Sequence, residues 1–262
     1  MRRRFLNGVG LERIDRESLD RIMTARKAGG VANSTVNRTM EVVRAVMRRA
    51  SYDWDWIAKA PRVVRMLPEP KRRIRWLTRE EADRLIGTLL GHLAAMARFS
   101  LETGLRRSNV TGLLWSQVDL TRRSAWIHAD QAKGRKAIAV PLSAAAVIVI
   151  REQLGKHSTH VFSFKGKPVR QVNTKAWRQT LQRVGIDDFR WHDLRHTWAS
   201  WHVQAGTPLP VLQELGGWQV LEMVLKYAHL ASDHLAPYVD RMSGLRLVKD
   251  GDVATFSATG TK

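Results

Sequence analysis

Apolar residues recur at three- and four-residue intervals through most of the chain. Between Ser34 and Ala50 they fall at Val36, Met40, Val43, Val46 and Met47, the spacing of one helix face. Arg38, Arg44, Arg48 and Arg49 supply much of the remaining surface. An arginine face of this kind either tracks a phosphate backbone or is simply solvated. Residues 11–27 read as a preceding helix. The stretch 60–76, "APRVVRMLPEPKRRIRW", breaks the pattern, because Pro61, Pro68 and Pro70 interrupt a helix and the basic residues, Lys71, Arg72 and Arg73 among them, exclude a core. It reads as a basic linker, assigned to 69–75, between a first helical domain (1–68) and a second domain (76–245).

The second domain opens with "LTREEADRLIGTLL", in which Thr78 and Glu81 have the spacing of a capping box. Helical spacing then covers 79–90, 92–103 and 107–114. Between 118 and 142, short β-like runs are separated by Thr-Arg-Arg-Ser and Lys-Gly-Arg-Lys, the pattern of a small antiparallel sheet. Helical patterns resume at 143–154, 173–184, 192–205 and 219–229. The fold class expected is therefore mainly α with a small antiparallel β-sheet (α+β), followed by a disordered tail over 246–262. The most apolar stretch, 137–150, contains Pro141 and is too short to span a bilayer.

Charge narrows the choice of partner. The 262 residues carry 44 Lys and Arg against 24 acids, a formal charge of +20. Such a surface suits a polyanion, whose condensed counterions are released on binding; a basic but otherwise ordinary soluble protein is the plainer alternative. The chain has no cysteine, which excludes disulfides, thiolate metal sites and cysteine nucleophiles. A cytoplasmic, nucleoid-associated protein is expected.

The stretch "RWHDLRHTWAS" (190–200) gathers His192, Arg195 and His196. His192 and His196 are four apart on one helix face, as metal ligands can be. A zinc-protease helix, however, has glutamate after the first histidine, and here that residue is Asp193. Arg195 would also repel a cation, so no metal is expected. His192 and Arg195 are three apart and share a face. A guanidinium holds two phosphate oxygens in a fork, and an imidazole beside it can pass a proton. His196 is expected to face away from the phosphate, with His196 and His202 either structural or supporting the site residues from behind.

Other segments could complete a phosphate site. Gly104 breaks a helix–turn–helix, with Arg106 at the junction; Glu102, one turn earlier, is an alternative partner for Arg106. Lys133 lies at the tip of the expected hairpin, where it could equally be a solvated turn residue beside Lys136. Trp218 follows a double glycine and Tyr227 lies nine residues on. Both aromatics could be plain core residues. Tyr227 beside these cations is also a candidate nucleophile.

Taken in order, these residues resemble the tyrosine recombinases, in particular the phage-type integrases. "TGLR" carries Arg106, "AKGRK" Lys133, "HDLRH" His192 and Arg195, "GGW" Trp218 and "YAH" Tyr227. The resemblance covers about residues 76–240, which it makes a catalytic domain; residues 1–68 more loosely resemble a partial core-binding domain. It implies cleavage and rejoining of DNA strands through a 3′-phosphotyrosine, with no cofactor. Arg106 and Arg195 would stabilise the transition state, Lys133 would protonate the leaving oxygen, and His192 would assist at the tyrosine. Arg38, Arg44, Arg48, Lys71, Arg72 and Arg73 are the candidate DNA contacts outside the catalytic set. Attachment-site duplex DNA, a homotetramer assembled on it and accessory bending or directionality proteins are the implied partners. The segment after Tyr227, "LASDHLAPYVDRMSGL" (230–245), is a candidate for docking into a neighbouring protomer.

Two alternatives stay open on sequence alone: a prophage remnant that binds DNA without efficient cleavage, and a type IB topoisomerase-like enzyme. All three require phosphate contacts, so DNA affinity should fall steeply between low and physiological salt whatever the base sequence. An affinity nearly flat over that range, measured by fluorescence anisotropy on unrelated duplexes, would contradict the nucleic-acid reading.

Overall fold

The computed structural model describes residues 9–61, 66–69, 74–132 and 135–231. Lys71, Arg72, Arg73, Lys133, most of the segment 230–245 and the tail 246–262 lie outside them. The chain divides into two compact units, Met1–Arg73 and Ile74–Lys262.

The first unit is built on helices α1 (Arg16–Ala28) and α2 (Asn33–Tyr52). Asp15 caps α1 by accepting from the Ser18 backbone N–H at 2.8 Å, which satisfies one orphan donor of the first turn. Leu19, Ile22 and Met23 of α1 pack on Val36, Met40, Met47 and Ala50 of α2. Val46, expected in this stripe, is 40% exposed. At 3.6 residues per turn it falls about 100° from Met47, off the face that repeats through Val36, Met40, Val43, Met47 and Ala50. Asn37 is buried, and its side-chain amide exchanges a pair of 2.9 Å hydrogen bonds with the Leu67 backbone. The chain beyond the helices is thereby fastened back onto α2.

The second unit starts at α3 (Arg79–Thr88). Thr78 Oγ1 accepts from the Glu81 N–H, and the Glu81 carboxylate accepts from the Thr78 N–H, so the expected capping box is complete. The central helix is α4 (Gly91–Thr103), which buries Leu93, Met96, Ala97 and Phe99 and packs against α6 (Ala144–Arg151) and α8 (Asp193–Gln204). Strands β1 (Val118–Asp119), β2 (Ser124–Ile127) and β3 (Ile138–Pro141) form the antiparallel sheet in that order. Ala125 and Ile127 face the core while Trp126 between them is exposed, the alternation of a one-sided sheet. The expectation of a mainly helical domain with a small antiparallel sheet holds.

Two local expectations fail, and one hairpin lies where nothing was expected. The helix expected over 107–114 stops as α5 (Arg107–Thr111), because Leu113 accepts a backbone hydrogen bond from Val161 and Leu114 forms a bridge with His160. A second hairpin, β4 (Ser163–Phe164) with β5 (Lys167–Pro168), closes around Lys165 and Gly166, and its strands are too short to give an alternating signal. The continuous helix expected over 219–229 is broken. Its place is taken by α10 (Glu222–Leu225), a kink at Lys226–Tyr227 and a 3₁₀ turn (Ala228–Ala231), and it is preceded by a helix that was not expected, α9 (Leu209–Gly216). The prolines of "TPLPVLQELGG" mark the first turn of α9, where proline costs nothing, and Gly217 ends it at φ 60°. One further helix, α7 (Lys175–Arg183), buries Trp177 against Trp191. No helix among the described residues is long and apolar enough to cross a membrane.

Gly104 ends α4 with φ 61°, and a Cβ there would lie 2.2 Å from the Trp198 ring. Left-handed backbone and close approach both demand glycine. Gly104→Ala should therefore destabilise the second unit by at least about 1–3 kcal/mol, read as a lowered urea midpoint. An unchanged midpoint would contradict the packing described here.

Candidate active site

Four segments converge on the site, each delivered by an element end. Arg106 is the residue preceding α5, in extended backbone immediately after the Gly104 turn. His192 precedes α8, with Arg195 and His196 in the helix's first turn. Trp218 follows the glycine that ends α9, and Tyr227 sits in the kink after α10.

Arg195 is the pivot. Only 5% of its surface is exposed, and its Nη1 and Nη2 donate to the carbonyls of Gly104 (2.5 Å) and Gly216 (2.6 Å). Those carbonyls terminate α4 and α9, where the last turns leave acceptors unpaired and the helix dipoles end negative. The guanidinium answers both helix ends at once. Its plane lies over the Trp218 ring, 4.1 Å from the centroid, a cation–π contact. Burial, and then Arg106, lower its pKa to about 9, which leaves it charged at neutral pH.

Trp218 is held in place by a missing atom. A Cβ on Gly216 would come within 2.0 Å of its ring, so the indole folds back over the glycine. From there it stacks on Trp198 (6.0 Å between centroids) and tilts against Tyr227 (6.1 Å).

Tyr227 is fully buried, and its hydroxyl lies 2.5 Å from His196 Nδ1. Burial pushes the phenol above its ordinary pKa, while Arg195 pulls the other way. Burial also drives His196 down to about 3, helped by Lys226, His192 and Arg195. At neutral pH the pair is therefore a protonated phenol and a neutral imidazole. The His192 ring stands edge-on to that of His196, 5.0 Å away. Lys226, half-buried, places its ammonium 5.0 Å from the centre of the Tyr227 ring.

The expected residues Arg106, His192, Arg195, Trp218 and Tyr227 thus sit on converging element ends. Lys133 lies outside the described residues. Glu102 accepts from the Ser143 hydroxyl, and among the described residues no carboxylate forms an ion pair with Arg106. His202 Nδ1 lies 3.0 Å from the Thr207 hydroxyl. Arg38, Arg44 and Arg48 are exposed on α2 in the first unit, Arg38 paired with Glu41.

The correction concerns His196. Expected to face elsewhere, it is the imidazole on the tyrosine oxygen. Its position four residues after His192 had already placed it on that face; what the sequence did not give was where Tyr227, 31 residues on, would land. Lys226 is the other residue overlooked, because a lysine beside a tyrosine carries no signal of its own. The two histidines face Arg195, Lys226 and a phenol, surroundings that favour an anion over a metal ion.

Comparison with known proteins fits this arrangement. The family model described as the phage integrase family matches residues 75–234. The chain belongs to the phage integrase family. The integrase of Salmonella phage P22 is 44% identical over 220 residues, covering 79% of this chain and 56% of that protein. The integrase of Escherichia phage 186 is 30% identical over 213 residues, covering 78% and 59%. The chain thus spans little more than half the length of these curated relatives. Among solved structures, the Tn1549 transposon integrase in complex with circular intermediate DNA superposes with a TM-score of 0.66 at 16% identity, over 83% of this chain and 81% of that one. This likeness shows the integrase-family fold.

The burial of His196 beside Lys226, His192 and Arg195 has a consequence for acid stability. Folding favours the neutral imidazole, whereas the unfolded chain takes up a proton below about pH 6.5. The stabilisation present above that pH is therefore lost progressively as pH falls towards the folded value of about 3. Urea midpoints of the native chain should fall more steeply from about pH 7 to about 4.5 than those of His196→Asn, which cannot take that proton. Parallel curves would contradict the assignment.

Proposed function

We propose that this chain is a site-specific DNA recombinase of the integrase type, which breaks and rejoins strands through a 3′-phosphotyrosine. The observation that carries the reading is the buried Arg195 guanidinium on the same side chains as the tyrosine. It is fixed by two helix-end carbonyls and one indole face, and it retains further N–H donors for an anion.

The chemistry follows from charge. Attack of the Tyr227 oxygen on a backbone phosphorus builds negative charge on the non-bridging oxygens. Arg195 and Arg106 oppose that charge more strongly than they oppose the charge of the ground state, and only such a difference accelerates the step. The Arg195 guanidinium is positioned before substrate arrives, so it needs no reorganisation during reaction. Trp218 has no proton to exchange as an acid or base; its ring holds the Arg195 and Tyr227 side chains together. Lys133 is the proposed acid for the departing 5′ oxygen, and His192 the proposed imidazole nearest the incoming phosphate. The 3′-phosphotyrosine conserves the phosphodiester energy, so attack by a 5′ hydroxyl from a second strand reseals the backbone.

The proposed partners are duplex DNA bearing attachment sites, a homotetramer assembled on it, and accessory bending or directionality proteins. The proposed location is the nucleoid. Lys71, Arg72 and Arg73, with exposed Arg44 and Arg48, are proposed phosphate contacts. The phage integrases and the XerC recombinase of Halalkalibacterium halodurans among the relatives support this reading.

Covalent trapping on nicked duplexes drawn from DNA flanking the gene tests it. The native chain should form a protein–DNA adduct resistant to denaturing electrophoresis, and Tyr227→Phe should form none. Binding in a native gel without an adduct would favour a remnant that only binds. Relaxed circles without recombinant joints would favour topoisomerase-like action.

A further inference from the structure

We infer that His196 is the base that takes the proton from Tyr227 during strand cleavage, in addition to holding its hydroxyl in place. The inference rests on Tyr227 being the nucleophile, as proposed above. It extends that reading by giving proton acceptance to a residue outside the expected set, the role that His192 was expected to assist.

The geometry carries it. A phenol must lose its proton as its oxygen bonds to phosphorus, and the acceptor must lie within hydrogen-bond reach. His196 Nδ1 is at 2.5 Å from the Tyr227 hydroxyl. His192 is exposed at the start of α8, and its ring meets the His196 ring edge-on. With the ring proton on Nε2, Nδ1 accepts from the phenol O–H, and proton transfer to His196 requires this tautomer. Because the phenol is fully buried, solvent does not compete for that proton.

The surroundings make the base substrate-dependent. Beyond what burial does, the cations Lys226 and Arg195, with His192, oppose protonation of His196. Asp193 is the acidic group whose charge is felt at the phenol. A phosphodiester seated on Arg195 and Arg106 brings a negative charge that offsets those cations, so the imidazole becomes a better acceptor when there is a phosphorus to attack.

The step balances. The Tyr227 proton passes to His196 Nδ1 as the phenol oxygen bonds to phosphorus. The bond from phosphorus to the 5′ oxygen breaks, its electron pair leaves with that oxygen, and the proposed acid Lys133 supplies the proton. Resealing runs the transfers backwards, His196 returning the proton to the departing phenolate.

Single-turnover adduct formation by the native chain, His196→Asn and His196→Ala tests this, with native-gel DNA binding measured alongside. Asparagine keeps a hydrogen-bonding group near the Nδ1 position but accepts no proton at working pH. Both variants should bind DNA normally and cleave about 100-fold more slowly. Their rates should climb with pH as hydroxide replaces the missing base, and a 5′-bridging sulfur, which leaves without a proton, should not restore them. Full activity in His196→Asn with loss only in His196→Ala would reduce His196 to a positioning residue and overturn the inference. Unchanged or faster cleavage in both variants would overturn it too. If the native chain itself gives no adduct, the nucleophile reading fails and takes this inference with it.

Discussion

A buried positive charge organises this site. Arg195 would be costly to bury alone, since removing an ion from water is worth several kcal/mol even after relaxation. Its compensation is unusual in coming from backbone. The carbonyls of Gly104 and Gly216 end two helices, and the Trp218 ring covers the guanidinium plane. Three helices and the loop after the third are thereby referred to one side chain. The site has its shape because α4, α8 and α9 must all present themselves to Arg195.

The second constraint is steric. Gly104 and Gly216 each leave out a Cβ that would collide with a tryptophan, Trp198 and Trp218 respectively. Those two indoles stack on each other, and Trp218 leans on Tyr227. A continuous aromatic layer therefore runs from the back of α8 to the candidate nucleophile. Position in that layer sets where the phenol oxygen lies, and His196 is the group waiting there.

Much of the fold was legible because its signals are local. The Thr78 capping box, the α2 stripe and the alternation of β2 each depend on residues within a turn or a strand of one another. Arg106, His192, Arg195, Trp218 and Tyr227 were legible through their order along the chain, by resemblance. What was not legible depended on contacts between distant segments. Helix α9 was not anticipated, since its eight residues are short for a periodic signal and Pro208 and Pro210 stand at its start. The helix expected after Gly217 was broken, leaving Tyr227 in a kink that periodicity alone does not reveal. His196 was misplaced for the same reason, since its partner is defined by that kink.

The acceptors that hold Arg195 are main-chain atoms. A side-chain partner can be lost by a single base change, but a carbonyl is present whatever residue the codon specifies. The anchorage is thus shielded from drift at the positions it touches, provided the two glycines keep the chain's path. The geometry then rests on few side chains: the arginine itself, the Trp218 ring over its guanidinium and the two glycines that set the path.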